Sequence, residues 1–178
     1  AAVQGYCLGG HNHMAYCCDF TIAAEDAIFG QAGPKVSSPA DGFFVPNLTK
    51  VVGAKKAREM WMQCRRYPAP EALQMGLVNR VVPHASLEGE VDQWCEELLS
   101  VSPGCLEILN ASFDQEMDGY ADLGVISSQF YPDWFDMPEC TEGGAAFSEK
   151  RPPRFWGLRK RAQRMRDKLI EADQGDGD

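Results

Sequence analysis

Basic residues are scarce in this sequence relative to acidic ones. The 178 residues contain 17 Lys and Arg against 26 Asp and Glu, which gives a formal net charge of −9 at pH 7. Such a chain does not attract polyanions as a whole, so we expect no nucleic acid and no anionic membrane surface among its partners. Nine of the 17 basic residues lie from Lys150 onward. A site for a polyanionic ligand is therefore expected in that tail.

Long apolar runs are also missing. No run of about 18 apolar residues occurs, so no transmembrane helix is predicted, and the start lacks the charge and apolar pattern of a signal peptide. The seven cysteines include no CxxC pair, which favours reduced thiols and a cytoplasmic protein. The chain opens inside an apparent buried strand. We therefore expect that an N-terminal half is missing or is supplied by another polypeptide.

The order of elements predicts an α/β fold. Residues 1–24 have the pattern of a strand, a Gly-rich turn, a helix and a second strand, which is typical of parallel strands joined by a crossover helix. Residues 27–47 are rich in Gly, Pro and Ser and predict an irregular binding loop. Beyond it, helices are predicted over 55–67, 70–76, 86–101, 104–116, 122–131 and 157–170, with a strand near 77–83 and a loop over 132–141.

Several motifs stand in an order that resembles a known superfamily. They are AVQGYCLGGHNHMAYCCDFTIAAEDAIFGQAGPKV, VVGAKKAREMW, CRRY, ALQMGLVNRVVP and FSEKRPPRF. Together they resemble the crotonase (enoyl-CoA hydratase/isomerase) superfamily over nearly residues 1–155. Within it, FGQAGPKV and KKARE are most similar to 1,4-dihydroxy-2-naphthoyl-CoA synthases and to 2-ketocyclohexanecarboxyl-CoA hydrolases.

The resemblance implies a spiral of ββα turns that acts on an acyl-CoA thioester and assembles as trimers or hexamers. Residues 1–100 would be the C-terminal part of the spiral core, 101–155 a helical region for trimerisation and active-site completion, and 156–178 a basic helix with an acidic tail. Gly10 occupies the position of the oxyanion glycine, whose N–H stabilises a thioester enolate. The plain alternative is that Gly9 and Gly10 only permit a tight turn.

Two departures from the hydratases concern water activation. Hydratases of the superfamily carry two glutamates that act on water, and the matching positions here are His13 and Gly33. Because hydration needs paired carboxylates, simple enoyl-CoA hydration is disfavoured. Gln31 and Gly33 instead match the naphthoate synthases that hold bicarbonate as a base, although Phe43 stands where that subclass is expected to use a Trp. Gln31 could equally be a loop anchor.

The catalytic Ser and Asp of the superfamily fall in the loop that follows. Ser38 matches the Ser, but Ala40 matches the Asp, and Asp41 lies one step late. A one-residue adjustment of the loop would let Asp41 serve, and a solvated carboxylate is the alternative. His11 replaces the third glycine of the turn, so the acyl pocket should be reshaped.

The C-terminal matches concern proton donation and CoA binding. Tyr131 matches a tyrosine that donates a proton in the acyl pocket, or else it is a core aromatic. Lys150 and Phe147 match the residues that contact CoA phosphate and adenine, and Arg151 is expected to assist, unless these form a solvated basic face. We expect CoA thioester as the substrate and no tightly bound cofactor, apart from the bicarbonate considered above.

Three readings of the function remain. The leading one is a carbon–carbon lyase or synthase that performs a Claisen ring closure. Its alternatives are a hydrolase that opens a cyclic 2-oxoacyl-CoA, and a non-catalytic subunit that binds acyl-CoA. A metal site near His11 and His13 and a nucleophile at Cys7 are disfavoured, because neither has a familiar set of partners.

Overall fold

The computed structural model describes residues 1–39, 42–118, 129–161 and 164. This part of the chain is mixed α/β, as the sequence predicts. Its elements in chain order are β1 (Ala2–Val3), β2 (Tyr6–Leu8), α1 (Gly10–Cys17), β3 (Ile22–Ala24), β4 (Ile28–Gly30), α2 (Phe44–Gln63), β5 (Arg66–Pro68), α3 (Ala69–Gln74), β6 (Arg80–Val82), α4 (Leu87–Leu99), α5 (Pro103–Asp118) and α6 (Pro138–Ser148). Short 3-10 helices cover Gly33–Lys35, His84–Ser86 and Trp134–Asp136.

One sheet has the strand order β1-β3-β6, and all its strands are parallel. The predicted unit of two parallel strands joined by a crossover helix is therefore confirmed, with α1 between β1 and β3. Side chains alternate between the faces of a strand, so Ile22 and Ala24 pack with Leu87 at the start of α4, whereas Ala23 enters the main core.

A second sheet has the order β2-β4-β5, with β2 and β4 parallel and β5 antiparallel. The prediction of an irregular segment from residue 27 is wrong at its start, because Ile28–Gly30 pairs with both neighbours. Cys7, Phe29 and Tyr67 stand side by side across the three strands and are buried. Burial of these side chains stabilises strands that are too short for a period to be visible in the sequence.

Helix α2 is longer than predicted and forms one side of the main core. It begins at Phe44 and bends at Gly53, whose φ of 78° and ψ of 156° are not helical. Leu48, Met60 and Trp61 are buried on it and pack on α1 and the second sheet. The bend lets residues on both sides of Gly53 contact one core.

The C-terminal part of the described chain is helical. The segment predicted as a loop is wrong over its last four residues, 138–141, which begin helix α6, and residues 155–161 form a further helix. The helix predicted over 122–131 lies almost entirely outside the described residues. No described helix has the length and apolar character needed to cross a bilayer. The three domain boundaries remain a prediction.

Candidate active site

The turn into α1 presents a backbone amide at the end of a strand. Gly9 precedes the helix with φ 58° and ψ −121°, a conformation that favours glycine. Its N–H donates to the Gly30 carbonyl oxygen at 3.0 Å, which ties the turn to β4. Gly10 is the first helical residue, so its N–H has no acceptor within the helix. Gly10 is exposed, and a Cβ built on it would meet no atom within 4 Å, so a ligand has room to approach this turn.

His13 lies one helical turn beyond Gly10 in a largely aromatic cage. Its Nε2–H donates to Gln31 Oε1 at 3.0 Å. Its ring stacks on Phe44 with centroids 4.7 Å apart and an angle of 24°, and contacts Tyr16 and Trp61. Burial lowers the pKa of His13, and the Gln31 hydrogen bond opposes that shift. The imidazole is therefore neutral at pH 7, with its lone pair on Nδ1.

Two buried N–H donors beside His13 have no acceptor in the described part of the chain. They are Gln31 Nε2 and Trp61 Nε1, on residues that are 3% and 7% exposed. Unpartnered buried donors cost free energy unless a ligand or water accepts from them. A water or a ligand with acceptor oxygens would satisfy both donors.

Sequence reasoning missed Trp61 as a functional residue. It expected the tryptophan position at Phe43, but Phe43 is partly exposed and leans on Phe44 with centroids 4.4 Å apart. Helical spacing placed Trp61 in the core, which is correct for its ring. Spacing carries no information on whether the indole N–H has a partner, so no local signal distinguishes the two roles.

Gly33 and Ser38 close the loop that follows Gln31. The Ser38 N–H donates to the Gly33 carbonyl oxygen at 3.0 Å. A Cβ built on Gly33 would lie 2.6 Å from the Ser38 carbonyl oxygen and 3.9 Å from Trp61 Cζ3. Since the near atom is backbone, the loop has to shift before any side chain fits at residue 33. The expected Asp41, with Ala40, lies outside the described residues.

A cleft of about 360 Å³ opens beside this loop. It is lined by residues of the loop, α2 and the C-terminal region: Pro34, Ser37, Ser38, Pro39, Val45, Trp61, Met62, Trp134 and Glu139. The Trp134 Nε1–H donates to the Ser37 carbonyl oxygen at 3.0 Å, and Ser37 Oγ donates to the Glu139 carbonyl oxygen at 2.7 Å. The C-terminal region thus packs on the loop that carries Gly33 and Ser38.

Tyr131 stands next to this cleft. Its ring centroid is 5.6 Å from that of Trp134, and the residue is 40% exposed. Arg159 lies close by, with its pKa raised mainly by Glu139 and further by Tyr131. The structure therefore brings Tyr131 to the neighbourhood of Ser38, and its role as a proton donor remains a prediction.

The residues predicted to bind CoA lie at the end of α6. Phe147 and Lys150 are exposed, and Lys150 has a left-handed φ of 54°. Arg151, in contrast, forms ion pairs with Glu142 and Glu149. The Arg151 hydrogen bond is the main reason that the pKa of Glu142 is lowered to about 2. The guanidinium is thus engaged by its own chain, while binding of CoA by all three residues remains a prediction.

The rival readings gain no support from geometry. Within residues 1–39, 42–118, 129–161 and 164, no three His, Cys, Asp or Glu side chains are grouped to hold a metal. Burial raises the pKa of the Cys7 thiol to about 11, so the thiol is protonated at neutral pH and is a poor nucleophile.

A family comparison agrees with the fold. The family model described as enoyl-CoA hydratase/isomerase matches residues 1–158. The chain belongs to this family. Membership confirms the crotonase resemblance, but it does not distinguish among the activities of family members.

Solved structures show the same fold. An enoyl-CoA hydratase from Mycobacterium avium subsp. paratuberculosis K-10 is 31% identical with a TM-score of 0.75, over 87% of this chain and 63% of that one. An enoyl-CoA hydratase/carnithine racemase from Magnetospirillum magneticum is 28% identical with a TM-score of 0.61, over 85% and 56%. Methylmalonyl-CoA decarboxylase bound to 2-nitronate-propionyl-CoA, at 24% identity and a TM-score of 0.78 over 86% and 60%, is similar in fold alone. The chain thus spans roughly three fifths of each of these relatives.

Proposed function

We propose that this chain serves an enzyme that forms a carbon–carbon bond in an acyl-CoA through a thioester enolate, a ring closure like that of naphthoate synthase. Family membership and the place of Gly10 as the exposed first residue of α1 support the enolate chemistry. Negative charge develops on the thioester oxygen when a neighbouring proton leaves, and the Gly10 N–H stabilises it. One such donor contributes about 2.7–4 kcal/mol to transition-state stabilisation.

The observation that carries the proposal is the crowding at Gly33. A hydratase would need a glutamate there, beside a second one at residue 13, whereas a Cβ at residue 33 would lie 2.6 Å from the Ser38 carbonyl oxygen. Position 13 holds a neutral imidazole bonded to Gln31. The site therefore offers no carboxylate pair at these two positions to activate water, and an enolate needs none.

Bicarbonate fits the donor set next to His13. Gln31 Nε2 and Trp61 Nε1 are buried donors without an acceptor in the described part of the chain, and the oxygens of a bicarbonate ion can accept from them. These two side chains would hold it in one of two arrangements that supply a base for the proton beside the thioester. In the other arrangement the base is a side chain of the protein itself.

The remaining residues are proposed to bind and position the acyl-CoA. Ser38 and Tyr131 flank the cleft at the acyl end, and Tyr131 would donate a proton to the developing oxyanion or leaving hydroxyl. Lys150 and Phe147 would contact the CoA phosphate and adenine. Arg151 is already paired with Glu142 and Glu149, so its proposed part in CoA binding is to hold the end of α6 that presents Phe147 and Lys150.

Product mass tests this proposal. The full-length protein is incubated with o-succinylbenzoyl-CoA, an alicyclic 2-oxoacyl-CoA and crotonyl-CoA, and each mixture is analysed by mass spectrometry. Ring closure gives loss of one water from o-succinylbenzoyl-CoA. Gain of water by the alicyclic thioester would assign a ring-opening hydrolase, and crotonyl-CoA hydration at a comparable rate would overturn the argument from Gly33. Binding of CoA without any turnover would assign a partner subunit.

A further inference from the structure

His13 combines three features that a general base needs. It lies at i+3 from Gly10, so both residues share one face of α1. Its Nε2–H is fixed on Gln31 Oε1 at 3.0 Å. No hydrogen bond to Nδ1 occurs within the described residues. One ring nitrogen is therefore oriented by a buried amide, and the other keeps an available lone pair.

We propose that His13 is the base that removes the proton beside the thioester, with Gln31 as its positioning residue. This inference rests on the proposed enolate chemistry. The C–H bond breaks, the proton binds to Nδ1, and the electron pair moves into the thioester to give an enolate oxygen at the Gly10 N–H. In ring closure the enolate carbon bonds to the carbon of a carboxylic acid group in the acyl chain. The tetrahedral adduct then breaks its bond to one hydroxyl, which takes the proton from Nδ1 and leaves as water, so the imidazole returns to its neutral form.

The surroundings keep His13 in its basic form. Phe44 and Trp61 from α2 and Gln31 from the loop after β4 face the ring, and none of them titrates. Tyr16 on α1 is the titratable side chain recorded in ring contact, and its hydroxyl donates to the Phe44 carbonyl oxygen. Because burial lowers the pKa of His13, its imidazole is neutral at pH 7 and can accept the proton that leaves the substrate carbon.

This assignment also gives the two unpartnered donors a use. With a base supplied by the chain itself, Gln31 Nε2 and Trp61 Nε1 would hold an oxygen of the acyl group and not of a bicarbonate ion. The two bases therefore differ in a measurable way, since only one of them makes activity depend on added bicarbonate.

Deuterium exchange tests the base directly. The full-length enzyme is placed in D2O with o-succinylbenzoyl-CoA, and deuterium entry beside the thioester and product formation are followed by mass spectrometry. We expect His13→Gln to lower both rates by about 10²–10⁴-fold while the Kd of CoA, measured by calorimetry, is unchanged. His84→Gln is the matched control, because His84 is exposed and bonded to Asp26 away from the site. Unchanged exchange in His13→Gln would overturn the proposal.

A second pair of variants keeps the test independent of folding. Gln31→Glu places a carboxylate on Nε2–H, which raises the pKa of His13, so the acid limb of the pH–rate profile should move to higher pH. His13→Ala should regain exchange when imidazole is added. If the acid limb of Gln31→Glu does not move and imidazole does not restore exchange in His13→Ala, His13 has a packing role and is not the base.

Failure of the two proposals can be told apart. Exchange that requires His13 without ring closure would retain the base and reject the proposed reaction. Ring closure that survives in His13→Gln and depends on added bicarbonate would retain the reaction and reject the base. Absence of both exchange and product in the wild-type enzyme would overturn both.

Discussion

At the scale of single residues, the absence of a side chain at Gly33 argues against the glutamate that a hydratase would carry at this position. Its missing Cβ leaves room for the Ser38 carbonyl oxygen, which a methyl group would approach to 2.6 Å. Gly144 on α6 offers a contrast, since a Cβ there would meet nothing within 4 Å. The same substitution at the two positions therefore separates crowding from the general effect of replacing glycine.

We predict opposite stability changes for these two glycines. Gly33→Ala should lower the free energy of unfolding by about 1–3 kcal/mol, the usual cost of overpacking. Gly144→Ala should raise it by about 0.5–1 kcal/mol, because alanine favours a helix. Urea unfolding at pH 7 measures both. Equal stability of Gly33→Ala and the wild type would remove the steric argument.

Glu59 gives a pH-dependent prediction. The Tyr67 hydroxyl donates to Glu59 Oε1 at 2.7 Å, and Lys56 and Arg65 add ion pairs. These contacts lower the pKa of Glu59 from 4.5 to about 2, with Tyr67 as the largest cause. A carboxylate with a lowered pKa stabilises the fold above its unfolded pKa, and this stability is lost as the pH falls from about 4.5 toward 2.

Tyr67→Phe should therefore be destabilised at pH 7 and approach the wild type as the pH falls through that window. Unfolding free energies at several pH values between 7 and 2 measure the difference. Tyr6→Phe is the control, because Tyr6 is exposed and contacts Arg66 instead. A gap between Tyr67→Phe and the wild type that is constant with pH would contradict the account.

At the scale of elements, α6 and the turn at Trp134 pack against the loop that carries Gly33 and Ser38. Trp134 Nε1–H donates to the Ser37 carbonyl oxygen, and Ser37 Oγ donates to the Glu139 carbonyl oxygen. Gly143 allows this approach, since a Cβ there would lie 2.3 Å from Ser37 Oγ. The C-terminal region thereby shapes the cleft although it is distant in sequence.

Trp134→Phe should loosen this loop while keeping an aromatic ring. Loss of one hydrogen bond costs about 0.5–1.5 kcal/mol, so we expect faster amide hydrogen exchange over residues 35–38 and a higher KM for the acyl-CoA. Phe135→Leu, at a 78% exposed position, should change neither. Unaltered exchange in Trp134→Phe would show that the loop is held by other contacts.

The limits of sequence reasoning are physical and differ between elements. The parallel pair β1 and β3 and helix α4 follow from apolar patterns, and Gln31, Gly33 and Ser38 were placed together by their shared loop. The sequence does not predict helix α6, because Pro138 and the pair Gly143-Gly144 are local turn signals. In the structure Pro138 begins the helix and Gly143 lets it pack closely on Ser37. The bend at Gly53 likewise hid the first part of α2.

At the scale of the whole molecule, α5 exposes apolar side chains that a single copy leaves uncovered. Ile108 and Phe113 are 70% and 71% exposed. We propose that the full-length protein is a trimer or hexamer that covers them. Phe113→Asp should then reduce the mass measured by light scattering, and Cys95→Ser, at an exposed position on α4, should not. A monomeric wild type would contradict this.

The enolate at Gly10 is the central claim, and deleting one N–H tests it most directly. Gly10→Pro removes the amide hydrogen at the first helical position, where proline is tolerated, and Gly10→Ala measures the cost of an added methyl alone. Deuterium exchange beside the thioester in the full-length enzyme is the readout, with thermal unfolding and CoA affinity as checks on folding. We predict that Gly10→Pro lowers exchange by about 10²–10³-fold relative to Gly10→Ala. Equal exchange in the two variants would contradict the account.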